Sequence, residues 1–312
     1  MENTIVFAEK LGRVFINPAL GCASKCRFCY TEELGFTALE LSPFDGDDVR
    51  GELLKIPQFF PGRHGTLISL SPDTEPFDKR VLAKTLGYIT SLSTLGNPMQ
   101  IATRRKLERD TVRRILDSLI YPDQLILFVS SCTISYHNVI EVGTTTPTKR
   151  FETFDICRQE GLTACLYLKP VIPHITIKDV NNYISLINQY AVRYCCVGVL
   201  YANDLLLEQI NGVLSKIGLP VIDSVQGSLL LPFAQDMYQV GNLKDVLELE
   251  AALKVTQCTI HRTSSCVVAD ILNIPSAQAT WMKFPALCIQ CQDCARLAQV
   301  SLPPSLRVCG NV

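Results

Sequence analysis

The chain lacks a charge excess of either sign. Its 312 residues carry 29 lysines and arginines against 30 aspartates and glutamates, a net charge of −1. That removes any global electrostatic drive toward nucleic acid or an anionic membrane, though a local basic face stays open. Long apolar runs are also missing. The longest, such as Tyr194 to Ala202, fall far short of a bilayer span, so no membrane partner is expected. The first ten residues, Met1 to Lys10, have no basic segment followed by an apolar stretch. A signal peptide is therefore not expected, and the cytoplasm is the expected location. There are no internal repeats and no low-complexity tract. Charged residues make up 19% of the chain and hydrophobic ones 47%, which predicts a substantial core and excludes a disordered chain.

What the chain has in quantity is cysteine, 14 residues. In a reducing compartment these are thiols and metal ligands rather than disulfides. Three of them form Cys22-Ala-Ser-Lys-Cys26-Arg-Phe-Cys29, a CxxxCxxC spacing with Phe28 before the last cysteine and Tyr30 after it. Three thiolates so spaced can hold three corners of a cubane [4Fe–4S] cluster and leave the fourth iron open. A zinc site needs four ligands, and no fourth Cys or His lies close; His64 is the nearest. The motif occupies the loop Asn17 to Tyr30, punctuated by Pro18 and Gly21, directly after the strand-like run Val14-Phe15-Ile16.

Short β-like runs alternate with helical patterns through the first two thirds of the chain. Strands are expected at Arg13–Asn17, Thr66–Leu70, Met99–Thr103, Leu125–Ser131, Thr163–Lys169 and Tyr194–Tyr201. Helices are expected at Asp47–Ile56, Phe77–Ser93, Lys106–Ser118, Thr148–Glu160 and Ile177–Tyr190. Pro147 marks a helix start and Gly161 a stop. Six such units predict an α/β fold with a parallel, right-handed, barrel-like sheet. Leu125-Ile126-Leu127-Phe128-Val129 reads as a strand buried on both faces. After about Tyr201 the alternation ends, Leu205–Lys216 and Asn242–Val255 look helical, and the tail is rich in cysteine. The expected division is a barrel over residues 1–204 and a C-terminal extension over 205–312.

The cysteine motif and its place after the first strand resemble the radical S-adenosylmethionine (SAM) superfamily. The resemblance covers roughly Val14 to Tyr201 and is nearest to the branch containing spore photoproduct lyase and DNA repair photolyase-like proteins. It implies a partial (βα)6 TIM-like barrel with a cysteine-rich C-terminal extension, with its chemistry at the C-terminal ends of the strands. It implies that Cys22, Cys26 and Cys29 hold a [4Fe–4S] cluster, and that SAM chelates the open iron. A low-potential donor of flavodoxin or ferredoxin type would reduce the cluster, cleaving SAM to a 5′-deoxyadenosyl radical that abstracts hydrogen from an organic substrate.

The same resemblance points to the residues around the cofactor. Phe28 and Tyr30 would flank it. The second strand ends Ser71-Pro72-Asp73-Thr74-Glu75, where Ser71, Asp73, Thr74 and Glu75 are candidates to receive the SAM amino group; the bland reading is a turn leading into a helix. The third strand ends Thr103-Arg104, with Arg104 where relatives carry the lysine near the SAM carboxylate. The substitution is not automatically equivalent. The fourth ends Ser130-Ser131-Cys132, whose hydroxyls are placed to reach SAM. Alternation puts Ser130 and Cys132 on one face and Ser131 on the other, without saying which is inside. After the fifth strand, Val171 and Ile172 correspond to the stretch around adenine. Spore photoproduct lyase is understood to use a hydrogen-donating cysteine near its second strand. Ile68–Glu75 contains none, which leaves Cys132 as the candidate catalytic thiol and sets this chain apart from direct DNA-lesion repair.

The tail carries Cys288-Ile-Gln-Cys291-Gln-Asp-Cys294 and later Cys309. An auxiliary [4Fe–4S] cluster, a four-cysteine zinc site and no metal are the three readings. Cys258, His261 and Cys266 are alternatives to Cys309 as the fourth ligand. For the substrate, nucleic-acid base modification, suggested by the basic run Arg104–Arg114, stands against modification of a peptide, protein or metabolite. A different class altogether is a non-catalytic Fe–S or zinc protein, which would bind metal and no SAM.

Overall fold

The computed structural model describes residues 4–8, 13–223, 237–240 and 244–274. In chain order the elements are β1 (Ile5–Ala8), β2 (Arg13–Ile16), β3 (Ala19–Leu20), β4 (Lys25–Cys26), β5 (Glu40–Leu41), α1 (Gly46–Leu53), β6 (Leu67–Leu70), α2 (Leu82–Ser93), β7 (Met99–Thr103), α3 (Arg109–Ser118) and β8 (Leu125–Ser130). They continue with α4 (His137–Ile140), β9 (Glu141–Val142), α5 (Pro147–Glu160), β10 (Ala164–Val171), α6 (Val180–Gln189), β11 (Tyr194–Ala202), α7 (Asp204–Lys216), β12 (Tyr238–Val240), α8 (Lys244–Leu253), β13 (Thr259–His261) and α9 (Ser264–Leu272).

The six expected strands are β2, β6, β7, β8, β10 and β11. They pair side by side in sequence order, all parallel. β13 adds a further parallel strand at the start of β11, and β12 an antiparallel one at its end. β1 covers the other edge, antiparallel to β2. The two edges do not meet, so the barrel is open. The alternating pattern predicts this parallel α/β sheet, and the resemblance implies its partial-barrel form.

Local chemistry sets the element ends. Asp45 caps α1, accepting from Asp47 and Asp48 N–H, while Asp48 accepts from Asp45 N–H. Pro147 opens α5, and Gly161, at φ +93°, ends it in the left-handed region. Asn203 caps α7 and Thr263 caps α9.

Strand alternation divides the sheet's side chains between two cores. Ile68, Ile101, Leu127, Val129, Leu166 and Val197 face the layer of helices α1, α2, α3, α5, α6 and α8. Ile126, Phe128, Cys165 and Cys196 face the other way, against Val267, Val268 and Leu272 of α9. Thus α9 lies on the inner face of the barrel, toward the strand starts. A third cluster, including Phe28, Cys132, Ile172 and Leu206, sits where the cysteine loop meets α7.

Candidate active site

The loop 17–30 leaves β2 at the C-terminal end of the strand. Gly21 stands at φ +73°, and a Cβ there would meet Ala38 O at 2.0 Å, so the loop passes backbone to backbone against residue 38. Cys26 lies in β4 opposite Glu141 of β9, and Arg27 N–H donates to Ile140 O at 2.9 Å. The thiols of Cys22, Cys26 and Cys29 are partly exposed, whereas Cys132, Cys157, Cys165, Cys195, Cys196 and Cys258 are buried. Burial raises Cys22 and pushes Cys26 up to about 12; the Cys26 thiol feels both Cys29 and Cys22, and the Cys22 thiol feels Cys29.

Hydrogen bonds tie this loop to the ends of the next strands. Thr74 Oγ1 donates to Gly21 O at 2.6 Å, and Asn17 Nδ2 to Asp73 Oδ2 at 2.8 Å. Tyr30 hydroxyl also bonds Asp73, whose carboxyl burial raises. Glu75 is buried and its pKa is raised by that burial. Among the described residues it accepts only from neutral donors: Thr103 Oγ1, Arg104 N–H at 2.8 Å and Phe77 N–H at 3.3 Å. Ser71 adopts φ +58°, and among the described residues its buried Oγ has no hydrogen-bond partner. The turn therefore presents one orphaned hydroxyl and one buried carboxylate without a direct cationic partner.

Arg104 stands at the centre. Its guanidinium lies 5.0 Å over the Phe28 ring, Nε donates to Glu141 Oε1 at 3.1 Å, and Nη2 to Lys169 O at 3.2 Å. Glu141 is fully buried. Burial works against its charge, but Arg150 and Arg104 outweigh it and hold the carboxyl below its ordinary value. Arg150, also fully buried, bonds both Glu141 Oε2 and Ser130 O. Glu141 further accepts from Cys132 N–H at 3.2 Å. One carboxylate thus joins the cysteine loop to the ends of β7 and β8 and to α5.

The remaining candidates separate by face. Ser131 Oγ pairs with Tyr183 hydroxyl of α6 at 3.0 Å, placing it on the helix side. Ser130 belongs to the inner set with Ile126 and Phe128. Cys132, just beyond β8, is buried beside Phe28 and Ile172, and burial holds its thiol well above the ordinary value. Val171 joins the helix-side core with Val129 and Val197. The basic run is largely neutralised within the fold. Arg104 meets Glu141, Arg105 meets Asp78, Lys106 meets Glu152, and Arg109 and Arg113 share Glu160.

Sequence reasoning missed Glu141, Arg150, Asn17 and Thr103. Arg150 left one trace: Thr153, Phe154 and Cys157 follow at i+3, i+4 and i+7 on the buried stripe of α5, so a cation at i belongs to that stripe. Cys258 is buried at the start of β13, His261 bonds Asp270 at 3.1 Å, and Thr263 Oγ1 donates to Cys266 Sγ at 3.0 Å. Cys288, Cys291, Cys294 and Cys309 lie outside the described residues.

The chain has the partial-barrel fold of radical SAM enzymes. Over 78% of its length it superposes on spore photoproduct lyase complexed with dinucleoside spore photoproduct (TM-score 0.58, 11% identity, 74% of that chain). Spore photoproduct lyase with bound AdoMet and the same dinucleoside gives a TM-score of 0.59 at 13% identity over 80% of this chain and 76% of that one. Streptococcus suis SuiB bound to S-adenosylmethionine gives 0.52 at 12% identity, over 86% of this chain and 56% of that one. In sequence, the chain is 24% identical over 174 residues to the uncharacterized proteins Rv2578c of Mycobacterium tuberculosis and Mb2609c of Mycobacterium bovis. The match covers 53% of this chain and 51% of theirs, so it spans about half the length of these relatives. No protein-family model matches.

The residues present fit the groups that this fold implies. Among the described residues no three His, Cys, Asp or Glu side chains are grouped so as to hold a metal ion. A cubane gives each thiolate its own iron. Three partly exposed thiols in one loop suit it. The orphaned Ser71 Oγ and the buried Glu75 carboxylate suit an ammonium. Among the described residues Arg104 Nε and one Nη2 hydrogen are engaged, and no partner is described for Nη1 or the second Nη2 hydrogen, which suit a carboxylate. Among the described residues no helix is long and apolar enough to cross a membrane.

Proposed function

We propose that this chain is a radical SAM enzyme that abstracts a hydrogen atom from an organic substrate. The observation that carries the reading is the convergence, at the C-terminal mouth of a partial barrel, of the CxxxCxxC loop with an unfilled polar turn. When bound, a [4Fe–4S] cluster supplies the electron that cleaves SAM. Cys22, Cys26 and Cys29 ligate three irons. Ser71 and Glu75, steadied by Asp73 and Thr74, receive the amino group. Arg104 receives the carboxylate, held in place by Glu141. Phe28, Cys132 and Ile172 form a dry wall beside the loop that keeps water from the reacting atoms. Tyr30, anchored by Asp73, flanks the cofactor, and Ser130 faces the interior.

A reductant of flavodoxin or ferredoxin type and a reducing, cytoplasmic setting belong to this proposal. So does an auxiliary [4Fe–4S] cluster on Cys288, Cys291, Cys294 and Cys309 in the 205–312 extension. For the substrate, the neutralised basic run supports a peptide, protein or metabolite over nucleic acid. Salt-dependent affinity for DNA or tRNA would reverse that preference. Cys132, protonated and buried, is the candidate hydrogen-atom donor.

The reading is tested by anaerobic reconstitution of wild type, Cys26→Ala, and a triple variant with alanine at 288, 291 and 294. Two cubanes predict about eight irons in wild type and about four in the triple variant. About four in both leaves the cysteine loop as the cluster site and removes the auxiliary one. Full iron content together with unchanged SAM affinity in Cys26→Ala would refute the assignment of the loop.

A further inference from the structure

The inner face of the barrel holds two cations and no described anion to meet them. Lys169, on β10, projects from the inner face one layer above Tyr167, which is level with Ser130. Its Nζ lies 5.6 Å from the Tyr167 ring centroid. Its stem lies flat on Gly198 of β11, where a Cβ would come within 2.0 Å of Lys169 Cε. Any larger residue at 198 would displace the ammonium. Arg13, at the start of β2, is buried on the same face. It bonds Ser265 of α9, among the described residues its Nε has no partner, and it lies within electrostatic reach of Lys169.

Among the described residues neither cation forms an ion pair. The titratable groups within electrostatic reach of Lys169 include Cys196, Tyr167, Tyr201, Cys165 and Arg13. Burial raises both tyrosines and Cys165 and pushes Cys196 up to about 11, so all four are neutral at pH 7. A partly buried ammonium and a buried guanidinium within electrostatic reach of each other, with no described counter-charge, are a costly arrangement. It is resolved when an anion enters, and charge-assisted hydrogen bonds to oxyanions are the strongest that these groups make.

We propose that Lys169, with Arg13 behind it, forms a subsite for an oxyanion, a carboxylate or a phosphate, carried by the substrate into the barrel. The placement rests on the mouth being the reaction site described above. Gly198 is then a specificity device, conferring room for the lysine stem, and the substrate is a small acid or phosphorylated compound, or a segment bearing such a group.

The test is calorimetric titration of the reconstituted full chain with inorganic phosphate and, in parallel, acetate. Ionic strength is held constant, with and without saturating SAM. Wild type should bind one of the two saturably in the presence of SAM, and the tighter of the two identifies the oxyanion. Lys169→Gln and Gly198→Ala should each weaken that binding by about tenfold or more, with SAM affinity within about twofold of wild type. Gly198→Ala keeps the lysine and covers the case in which Lys169→Gln fails to fold. Absence of saturable binding in wild type overturns the subsite. So does exclusion of the anion by SAM, or loss of SAM affinity in step with anion affinity, since Lys169 would then serve the SAM carboxylate. If wild type binds the anion but not SAM, the subsite stands and the radical SAM reading falls.

Discussion

Glu141 bears more of the site's geometry than any residue of the cysteine motif. It is buried between Arg104 and Arg150 and bridges the cysteine loop through β4 and β9. Removing one partner of a buried ion pair typically costs about 3–5 kcal/mol, because the remaining charge has no water to turn to. Glu141→Gln should lower unfolding free energy by an amount in that range, measured in denaturant. The Glu141→Gln and Arg150→Met changes should be strongly non-additive, since each alone strands the other. Asp179 offers a pH-dependent counterpart. Burial opposes its charge, but hydrogen bonds from Ser135 and Thr133 hydroxyls and from Ile134 and Ser135 N–H outweigh it and lower its pKa. A lowered native pKa stabilises fully above the unfolded value, about 3.9, and that contribution is lost as pH falls through the native value. Acid unfolding of wild type should therefore steepen below about pH 4, and Asp179→Asn should flatten that limb while lowering stability at pH 7.

At the scale of elements, the cysteine loop depends on a backbone approach that only glycine permits. Gly21→Ala meets both a positive φ and Ala38 O. It should cost more than about 1 kcal/mol and reduce iron uptake in reconstitution more than it reduces helix content by circular dichroism. Iron uptake equal to wild type would contradict the loop's proposed role. The strands and helices of the barrel were legible because their cues are local: two-faced apolar runs such as Leu125–Val129, Pro147 before a helix and Gly161 after it. The cysteine spacing was legible for the same reason. Glu141 and Arg150 were not, because a buried ion pair between a two-residue strand and a helix has no spacing signature. Nor was the orientation of Ser130 and Ser131, which needed the Tyr183 contact to resolve. The turn Ser71–Glu75 could be pointed to by resemblance, but the orphaned Ser71 hydroxyl appears only when the chain is folded.

On the scale of the whole molecule, the sheet presents two unlike faces. One packs apolar side chains against α1, α2, α3, α5, α6 and α8. The other carries Arg13, Tyr167 and Lys169 above α9, so the barrel interior is charged where the helix side is oily. The later strands β12 and β13 extend the same sheet beyond β11, a pairing that alternation in the sequence did not reveal because each strand is only three residues long. The central claim is that the cysteine loop and the polar turn together bind and cleave SAM. The most direct measurement is anaerobic incubation of the reconstituted chain with dithionite and SAM, followed by quantification of 5′-deoxyadenosine and methionine. The account predicts equimolar release of both by wild type and none by Cys26→Ala. Iron-replete wild type that releases neither product, or a Cys26→Ala chain that releases both at the wild-type rate, would contradict it.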